Sequence, residues 1–515
     1  MSAGSTAEPR TRLAALLELD GLKLGLLLLV GAALLRSASL AFGVMDIDEA
    51  HWTLIGKVIR QGGLPYRDIA DHKPPLLFFL YALLGAPGGG RLQVTHALML
   101  PWIAGTALLC GATTRRLTCS AAAGTASALA YLLLCCSNLH TASSELLADL
   151  PVAAALAVLP LRAPDRGWRA LPAGLLLGLA VLVRPQAGIG LCAALFCLLL
   201  LRRGAGARLG ALLLCMVGFL VPLAVTVWAF ARCGELSSLF DWTVRRNLGY
   251  PPPAGWIFVF LIYTATYGLP LLWALLLGGP SLSKAARDLL ARRRPDELVV
   301  LGGALLGLAC LGVAQGRRFY AHYYVQLALP LALLAGPALA SLASGRERRR
   351  RQLLVVAGLL AGLSALAFAA VGWVRGALSN FPSQDPRAAS VVAFLRSPAA
   401  PPGRLLLWGD YSHIYLDAGR LPGARFYNAA PLVGNFDARQ VPEGFDVSRH
   451  VSTRDVALYL EDARRLGPTV LVDTSTGPIH SWDRFPMRKV EPIWDYVQRT
   501  FHLAGHTDGG DIYVR

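Results

Sequence analysis

Long apolar stretches alternate with short clusters of arginine along this chain, and that alternation limits the folds it can adopt. Hydrophobic residues make up 55% of the sequence and charged residues only 16%, with a mean hydropathy of +0.49. Many of the stretches reach the roughly 20 residues that a helix needs to cross a bilayer. The pattern therefore predicts a multi-span α-helical membrane protein and excludes an ordinary soluble one.

The arginine clusters indicate which ends of the predicted spans face the cytoplasm. Clusters at 115–116, 202–208 and 346–351 lie between apolar stretches, as the positive-inside rule requires. The formal net charge of +17 lies mostly in such clusters. We therefore expect anionic membrane lipids to be the counter-charge, and no nucleic-acid partner.

With these clusters as cytoplasmic markers, the sequence predicts about eleven transmembrane helices. The predicted spans are 22–44, 92–113, 119–139, 146–162, two short helices within 170–201, 209–231, 255–279, 297–314, 323–342 and 353–375. The shorter apolar stretch 75–86 is predicted to lie along the outer interface. The N-terminal segment 1–21 then lies in the cytoplasm, and the chain after residue 375 lies outside the membrane.

The composition changes after residue 375, which predicts a separate extracytoplasmic α/β domain over 376–515. Buried strands are predicted at 404–410, 469–473 and 511–515, and helices at 387–395 and 456–466. The nine cysteines show no metal-ligand spacing and are interpreted as apolar packing residues.

Ionisable and aromatic residues concentrate at the predicted outer face. The loop 45–91 carries most of them, and others lie at the outer ends of later spans. They are Asp46, Asp48, Glu49, His51, Asp68, Asp71, His72, Lys73, Glu145, Asp149, Arg184, Arg245, Arg246, Arg317, Arg318, Tyr320, His322 and Tyr323. Carboxylates with several cations suit a substrate that has both hydroxyl and phosphate groups. Taken one at a time, such residues also have structural interpretations. Lys73 can snorkel beside the interfacial helix, and Arg184 can cap the end of a helix. Arg36, which lies inside the first predicted span, can snorkel outward.

The motifs of this outer face resemble those of GT-C membrane glycosyltransferases. The matching residues are Asp48-Glu49, the stretch from Gly63 to Asp68, the stretch from His72 to Leu76, and the stretch from Arg318 to Tyr323. More narrowly, the chain is similar to bacterial relatives of protein O-mannosyltransferases and of the lipid A aminoarabinose transferase, which belong to a glycosyltransferase family 39-like superfamily.

The resemblance implies a catalytic membrane domain over 22–375 and a polyprenyl-phosphate sugar as donor. It also implies transfer to a glycan, lipid or protein hydroxyl, with inversion, in the bacterial inner membrane. Asp48 would be the general base, with Asp46 as the other candidate, and Glu49 would hydrogen-bond a substrate. Lys73 would hold the lipid phosphate, which leaves readily once cations neutralise it.

The remaining candidates implied by the resemblance fall into two groups. Those for donor binding are His72, Arg184, Arg318, Tyr320 and His322; those for acceptor binding or support are Tyr66, Asp68, Glu145 and Asp149. No certain cofactor follows, although the acids leave a divalent metal possible.

Two other functions compete with this interpretation. A transporter or flippase for a lipid-linked or anionic solute should place its ionisable residues near the bilayer midplane and often contains inverted repeats. In this sequence the acids lie at one face, and no repeat is visible. A membrane scaffold whose outer domain binds a partner is the second alternative.

Overall fold

The computed structural model describes residues 19–136, 141–161, 164–248, 255–344, 348–378, 381–436, 438, 441–442, 444–477 and 479–515. The predicted N-terminal segment 1–21 therefore lies almost wholly outside the described residues.

Helices dominate the described part of the chain up to residue 377. They are α1 (Gly21–Leu35), α2 (Ser37–Ala41), α3 (Ile47–Arg60), α4 (Pro75–Leu84), α5 (Leu92–Thr118), α6 (Ala121–Cys135), α7 (Ser144–Val158), α8 (Ala170–Val183), α9 (Gly188–Leu201), α10 (Ala205–Arg232), α11 (Leu236–Phe240), α12 (Arg246–Leu248), α13 (Trp256–Tyr263), α14 (Leu272–Leu290), α15 (Glu297–Ala314), α16 (Ala328–Ser344) and α17 (Arg348–Ala377). Turns of π-helix at Asp241–Arg245 and Thr264–Gly268, and of 3₁₀-helix at Leu269–Leu271 and Ala321–Leu327, interrupt the later ones.

Six helical stretches in the described residues are long and apolar enough to cross a membrane. They are Leu92–Thr118, Ala205–Arg232, Trp256–Leu290, Glu297–Arg317, Ala321–Ser344 and Gln352–Arg396. The other five predicted spans form shorter helices: α1, α6, α7, α8 and α9 have only 14 or 15 residues each. The predicted break within 170–201 is confirmed, since Arg184 ends α8 and Pro185–Ala187 forms a turn before α9.

Helices α8 and α10 pack closely because glycine lies at their contact. A Cβ atom added to Gly218 would lie 2.0 Å from the carbonyl oxygen of Leu171, and one added to Gly174 would meet the carbonyl of Cys215. The backbones approach each other as small residues allow in membrane helix pairs. A side chain at either glycine would force the helices apart.

Gly218→Ala is therefore expected to lower the free energy of unfolding by about 1–3 kcal/mol, as overpacking does. Gly210 on the same helix has open space around it, so Gly210→Ala is the matched control and should be neutral or slightly stabilising. Denaturant titration of both variants in mild detergent measures the difference. Equal stability of the two variants would contradict the packing argument.

The start of the predicted outer loop 45–91 is helical, since α3 covers Ile47–Arg60. Asp46 adopts an extended conformation and accepts a hydrogen bond from the backbone N–H of Asp48, which makes it the N-cap of α3. Asp48 and Glu49 then lie in the first turn, where the helix dipole favours acids. The cap signal was present in the sequence, but the density of charge outweighed it in the prediction.

A mixed four-stranded sheet lies in the C-terminal part of the chain. Its strands are β1 (Leu405–Trp408), β2 (Val470–Asp473), β3 (His502–Thr507) and β4 (Gly510–Val514), and the nearby helices are α18 (Pro386–Arg396), α19 (His413–Asp417), α20 (Thr453–Leu466) and α21 (Glu491–Thr500). The order is β1-β2-β4-β3, with β1 parallel to β2 and β4 antiparallel to both of its neighbours. The strands predicted at 404–410, 469–473 and 511–515 are confirmed, whereas β3 was not predicted.

The C-terminal part of the chain packs against the segment that follows α3. The backbone N–H of Ala70 donates to the carbonyl of Arg425 at 2.9 Å, and Tyr427 donates from its hydroxyl to Asp71 at 2.6 Å. Near α12, Arg246 forms an ion pair with Asp455 on α20. The sheet is therefore held over the polar segments of the helical part.

Candidate active site

The first turn of α3 presents two carboxylates in different environments. Adjacent helical residues point about 100° apart, so Asp48 keeps 36% of its side chain exposed while Glu49 is only 1% exposed. Burial and, after it, the charge of Asp48 favour the neutral form of Asp46 and raise the pKa of Asp46. Asp48 is the carboxylate that an incoming group can reach.

Glu49 is occupied by the protein itself. One oxygen lies 3.0 Å from Nε2 of His96 on α5 and also accepts from the backbone N–H of Ala142. Nδ1 of the same histidine donates to the carbonyl of Ser39 at 2.6 Å. Glu49 thus joins α3 to α5 and to the segment before α7. An ionisable residue inside a predicted span, His96, was the sequence signal for this network.

The segment from Asp71 to Pro74 carries the cationic side of the site. Asp71 accepts from the backbone N–H of Lys73 at 3.0 Å, and the carbonyl of Lys73 accepts from the hydroxyl of Tyr66 at 2.7 Å. These bonds fix the backbone and leave the Lys73 ammonium group half-buried, with no ion pair to it in the part of the chain that the structure describes.

His72 is neutral at physiological pH. Burial and the neighbouring charge of Lys73 lower the pKa of His72 to about 4. The carbonyl of His72 accepts from the side-chain amide of Asn247 at 2.8 Å, which ties this segment to the stretch before α13. Lys73, rather than His72, therefore supplies the positive charge at this position.

A second cluster lies between α7, α8 and the segment before α16. Arg184 forms a buried ion pair with Glu145 and donates to the hydroxyl of Ser144 at 3.1 Å. The guanidinium carbon of Arg184 lies 4.9 Å from the ring centroid of Tyr323, and Nε2 of His322 lies 3.9 Å from Glu145. Arg184 is thus buried in contacts within the protein, not exposed at the surface.

Arg318 and Tyr320 lie beside this cluster. Arg318 is buried and donates to the Tyr320 hydroxyl at 3.0 Å. The Tyr320 ring stacks on the imidazole of His322, with 5.7 Å between ring centroids. The two aromatic rings and the guanidinium form one packed group.

Three candidates have supporting positions. Tyr66 is fully buried, and its backbone N–H donates to Ile69 within a tight turn. Asp68 closes the same turn by accepting from the backbone N–H of Leu64 at 2.8 Å. Asp149, one turn beyond Glu145, accepts from the buried hydroxyl of Tyr131 at 2.8 Å. Tyr66 and Asp68 therefore shape the turn before Lys73, whereas Asp149 lines a cavity together with Glu145 and Arg184.

Charges from the two clusters act on one another and on the start of α3. The charge of Lys73 acts on Glu145, and that of Arg318 acts on His72. The charge of His322 acts on Asp46, which lies at the start of α3. Groups from four distant parts of the sequence therefore lie within electrostatic range of one another, and His72 is influenced by both Asp48 and Lys73.

Two side chains from beyond the helical part also reach this site, and the sequence interpretation had not paired them. Asp410, in the turn after β1, lies 3.0 Å from Nε2 of His51. Tyr427 bonds Asp71, and its ring lies 4.7 Å from that of His51. The predicted acidic turn after the first strand was the available signal for Asp410.

A further correction concerns Arg36, for which snorkelling towards the surface was considered. Arg36 is fully buried and donates to the carbonyl of Thr141 at 2.9 Å.

Within the described ranges, no group of three or more histidine, cysteine, aspartate or glutamate side chains is placed to hold a metal ion.

Two solved structures share this fold. ArnT from Cupriavidus metallidurans, in the apo state, has a TM-score of 0.58 at 14% identity, over 96% of this chain and 98% of its own. The archaeal oligosaccharyltransferase AglB from Archaeoglobus fulgidus, in complex with an inhibitory peptide and a dolichol-phosphate, has a TM-score of 0.50 at 12% identity, over 88% of this chain and 69% of its own. No model of a protein family and no curated protein matches the sequence.

The likeness to ArnT covers nearly the full length of both chains, so it includes the helical part and the C-terminal sheet. It confirms at the level of the fold the resemblance to GT-C membrane proteins that the motifs around Asp48 and Lys73 indicated. At 14% identity it is a likeness of fold, and the roles of the individual residues follow from the geometry of this chain.

Proposed function

We propose that this protein is a membrane glycosyltransferase that moves a sugar from a polyprenyl-phosphate donor to an acceptor hydroxyl on the outer face of the bacterial inner membrane. The observation that carries the proposal is a partly exposed carboxylate, Asp48, and an ammonium group without an ion pair in the described residues, Lys73, both close enough to His72 to act on its charge. A base next to a phosphate-binding cation is what such a transfer requires. The shared fold with ArnT and AglB supports the same class of reaction.

The reaction has one chemical step. Asp48 takes the proton of the acceptor hydroxyl, and the oxygen attacks the anomeric carbon from the face opposite the phosphate. The bond between that carbon and the phosphate oxygen breaks with inversion, and polyprenyl phosphate leaves with the electron pair. Lys73 stabilises the negative charge that develops on this leaving group, with help from Arg318.

The proposed topology follows the sequence prediction. About eleven spans place the N-terminus in the cytoplasm and both the site and the α/β domain of 376–515 outside. The catalytic membrane domain is 22–375. The acceptor belongs to the class of hydroxyl-bearing glycans, lipids or proteins that this face meets.

Mass spectrometry of envelope glycans and lipids from bacteria with and without the protein tests the proposal. Loss of one sugar from one envelope component, together with accumulation of its polyprenyl-phosphate donor, is the expected result. If the protein were instead a transporter or flippase for the donor, its absence would leave the donor confined to the inner leaflet. An unchanged envelope together with an unchanged donor pool would refute the proposal.

Lys73→Ala is expected to weaken binding of a short-chain polyprenyl phosphate by about 10- to 100-fold, since a charge-assisted hydrogen bond contributes roughly 1.5–3 kcal/mol. The shift in thermal unfolding midpoint with ligand concentration, in detergent, measures the affinity. Lys57→Ala is the matched control, because Lys57 lies about three helical turns from Asp46 along α3. Equal affinity of the two variants would remove Lys73 from the phosphate site.

A further inference from the structure

His51 stands between the reachable carboxylate and the C-terminal sheet. Its Nδ1 lies 3.8 Å from Asp48, and its Nε2 lies 3.0 Å from Asp410. His51 and Asp48 are three residues apart on α3, so they share one face of the helix. The imidazole is only 7% exposed, whereas Asp48 is reachable, so the ring contacts Asp48 from the protein side.

We propose that His51 and Asp410 are positioning residues that fix the Asp48 carboxylate, so that the turn after β1 completes the active site. The inference rests on the proposed function and deepens it, because it gives the C-terminal sheet a part in the reaction. Nε2 of His51 faces Asp410, and Nδ1 faces Asp48. The contact at Nε2 sets the orientation of the imidazole ring and so the position of Nδ1. Asp410 thereby holds the ring, and the ring, whose Nδ1 lies too far from Asp48 for a hydrogen bond, acts on that carboxylate through its position and charge.

The charges around His51 agree with this arrangement. The groups facing it are the carboxylates of Asp48, Asp71 and Asp410 and the ring of Tyr427. Burial opposes a charge on the ring, but the three carboxylates outweigh it and raise the pKa of His51. The carboxylates thereby favour the charged form of the ring, and the acceptor proton passes to Asp48, so His51 takes no part in the proton transfer.

The geometry separates this role from simple packing. The interface between the sheet and the helical part has other contacts, including the bond from Tyr427 to Asp71 and the one from Ala70 to Arg425. These contacts remain when Asp410 loses its charge. Removal of the Asp410 charge should therefore disturb Asp48 without releasing the sheet.

Rate measurements on Asp410→Asn and His51→Gln test the inference. The substrates are envelope extracts from bacteria that lack the protein, which contain the unused donor and acceptor, and the rates are measured between about pH 5 and pH 9. We expect the turnover rate to fall on the order of 10- to 100-fold, because the Asp48 carboxylate would be slightly misplaced relative to the acceptor hydroxyl. The KM should not change. In His51→Gln the acid side of the pH profile should move up by about one pH unit, because a cation beside the base is lost.

Asp473→Asn is the matched control, because Asp473 ends the neighbouring strand, pairs in register with Trp408 and is equally part of the sheet. It should keep the wild-type rate and profile, and Asp410→Glu should recover part of the rate. If Asp410→Asn does not fold, His51→Gln decides alone. Wild-type rates and profiles in the variants, or equal losses in Asp473→Asn, would overturn the inference. Full activity of Asp48→Asn would instead overturn the base assignment in the proposed function.

Discussion

Asp48→Asn is expected to lower sugar transfer by about 10²- to 10⁴-fold, the contribution that a positioned general base usually makes. Asparagine has nearly the same shape as aspartate but cannot accept the proton of the acceptor hydroxyl. Binding of polyprenyl phosphate should not weaken, because the cation assigned to the phosphate is Lys73. The rate of product formation from envelope extracts and the ligand-induced shift of the unfolding midpoint measure the two properties separately.

Asp46→Asn is the control for this experiment. Asp46 caps α3, and asparagine caps a helix about as well as aspartate, so the variant should fold normally. We expect its rate to stay within about tenfold of wild type, since its side chain is already bonded to the backbone of Asp48. A large loss of rate in Asp46→Asn together with a small loss in Asp48→Asn would make Asp46 the base. Rates near that of the wild type in both variants would exclude both residues as the base.

The parts of this molecule that follow from local pattern were predictable from its sequence. The break at Arg184-Pro185 follows from the geometry of proline after a long apolar stretch, and the buried strands β1 and β2 follow from short apolar runs that end in acidic turns. The start of α3 was missed although Asp46 is a good N-cap, because three acids close together also suit a solvated loop.

The pairings within the site could not be predicted in this way. Glu49 meets His96 at a separation of 47 residues, and His51 meets Asp410 from the far end of the chain. A single sequence gives the chemical type of each group but not its partner, because such contacts are set by how the helices and the sheet pack. The same limit explains why Glu49 was assigned to a substrate while the structure places it among protein groups.

The second large effect concerns the buried pair of Arg184 and Glu145. Arg184→Met should lower the free energy of unfolding by about 3–5 kcal/mol, because it leaves the Glu145 carboxylate buried without its main partner. His322, at 3.9 Å, is too distant to replace the direct bond. Denaturant titration in mild detergent measures the loss.

The double variant Arg184→Met with Glu145→Gln separates stability from phosphate binding. Replacement of both charges removes the unpaired carboxylate, so most of the lost stability should return. If Arg184 serves only to hold α7 against α8, this variant should bind polyprenyl phosphate as the wild type does. Normal stability with affinity weakened by about tenfold or more would instead assign a charge-assisted phosphate contact to Arg184. A single variant as stable as the wild type would contradict the buried pair itself, because a carboxylate in that position cannot lose its partner without cost.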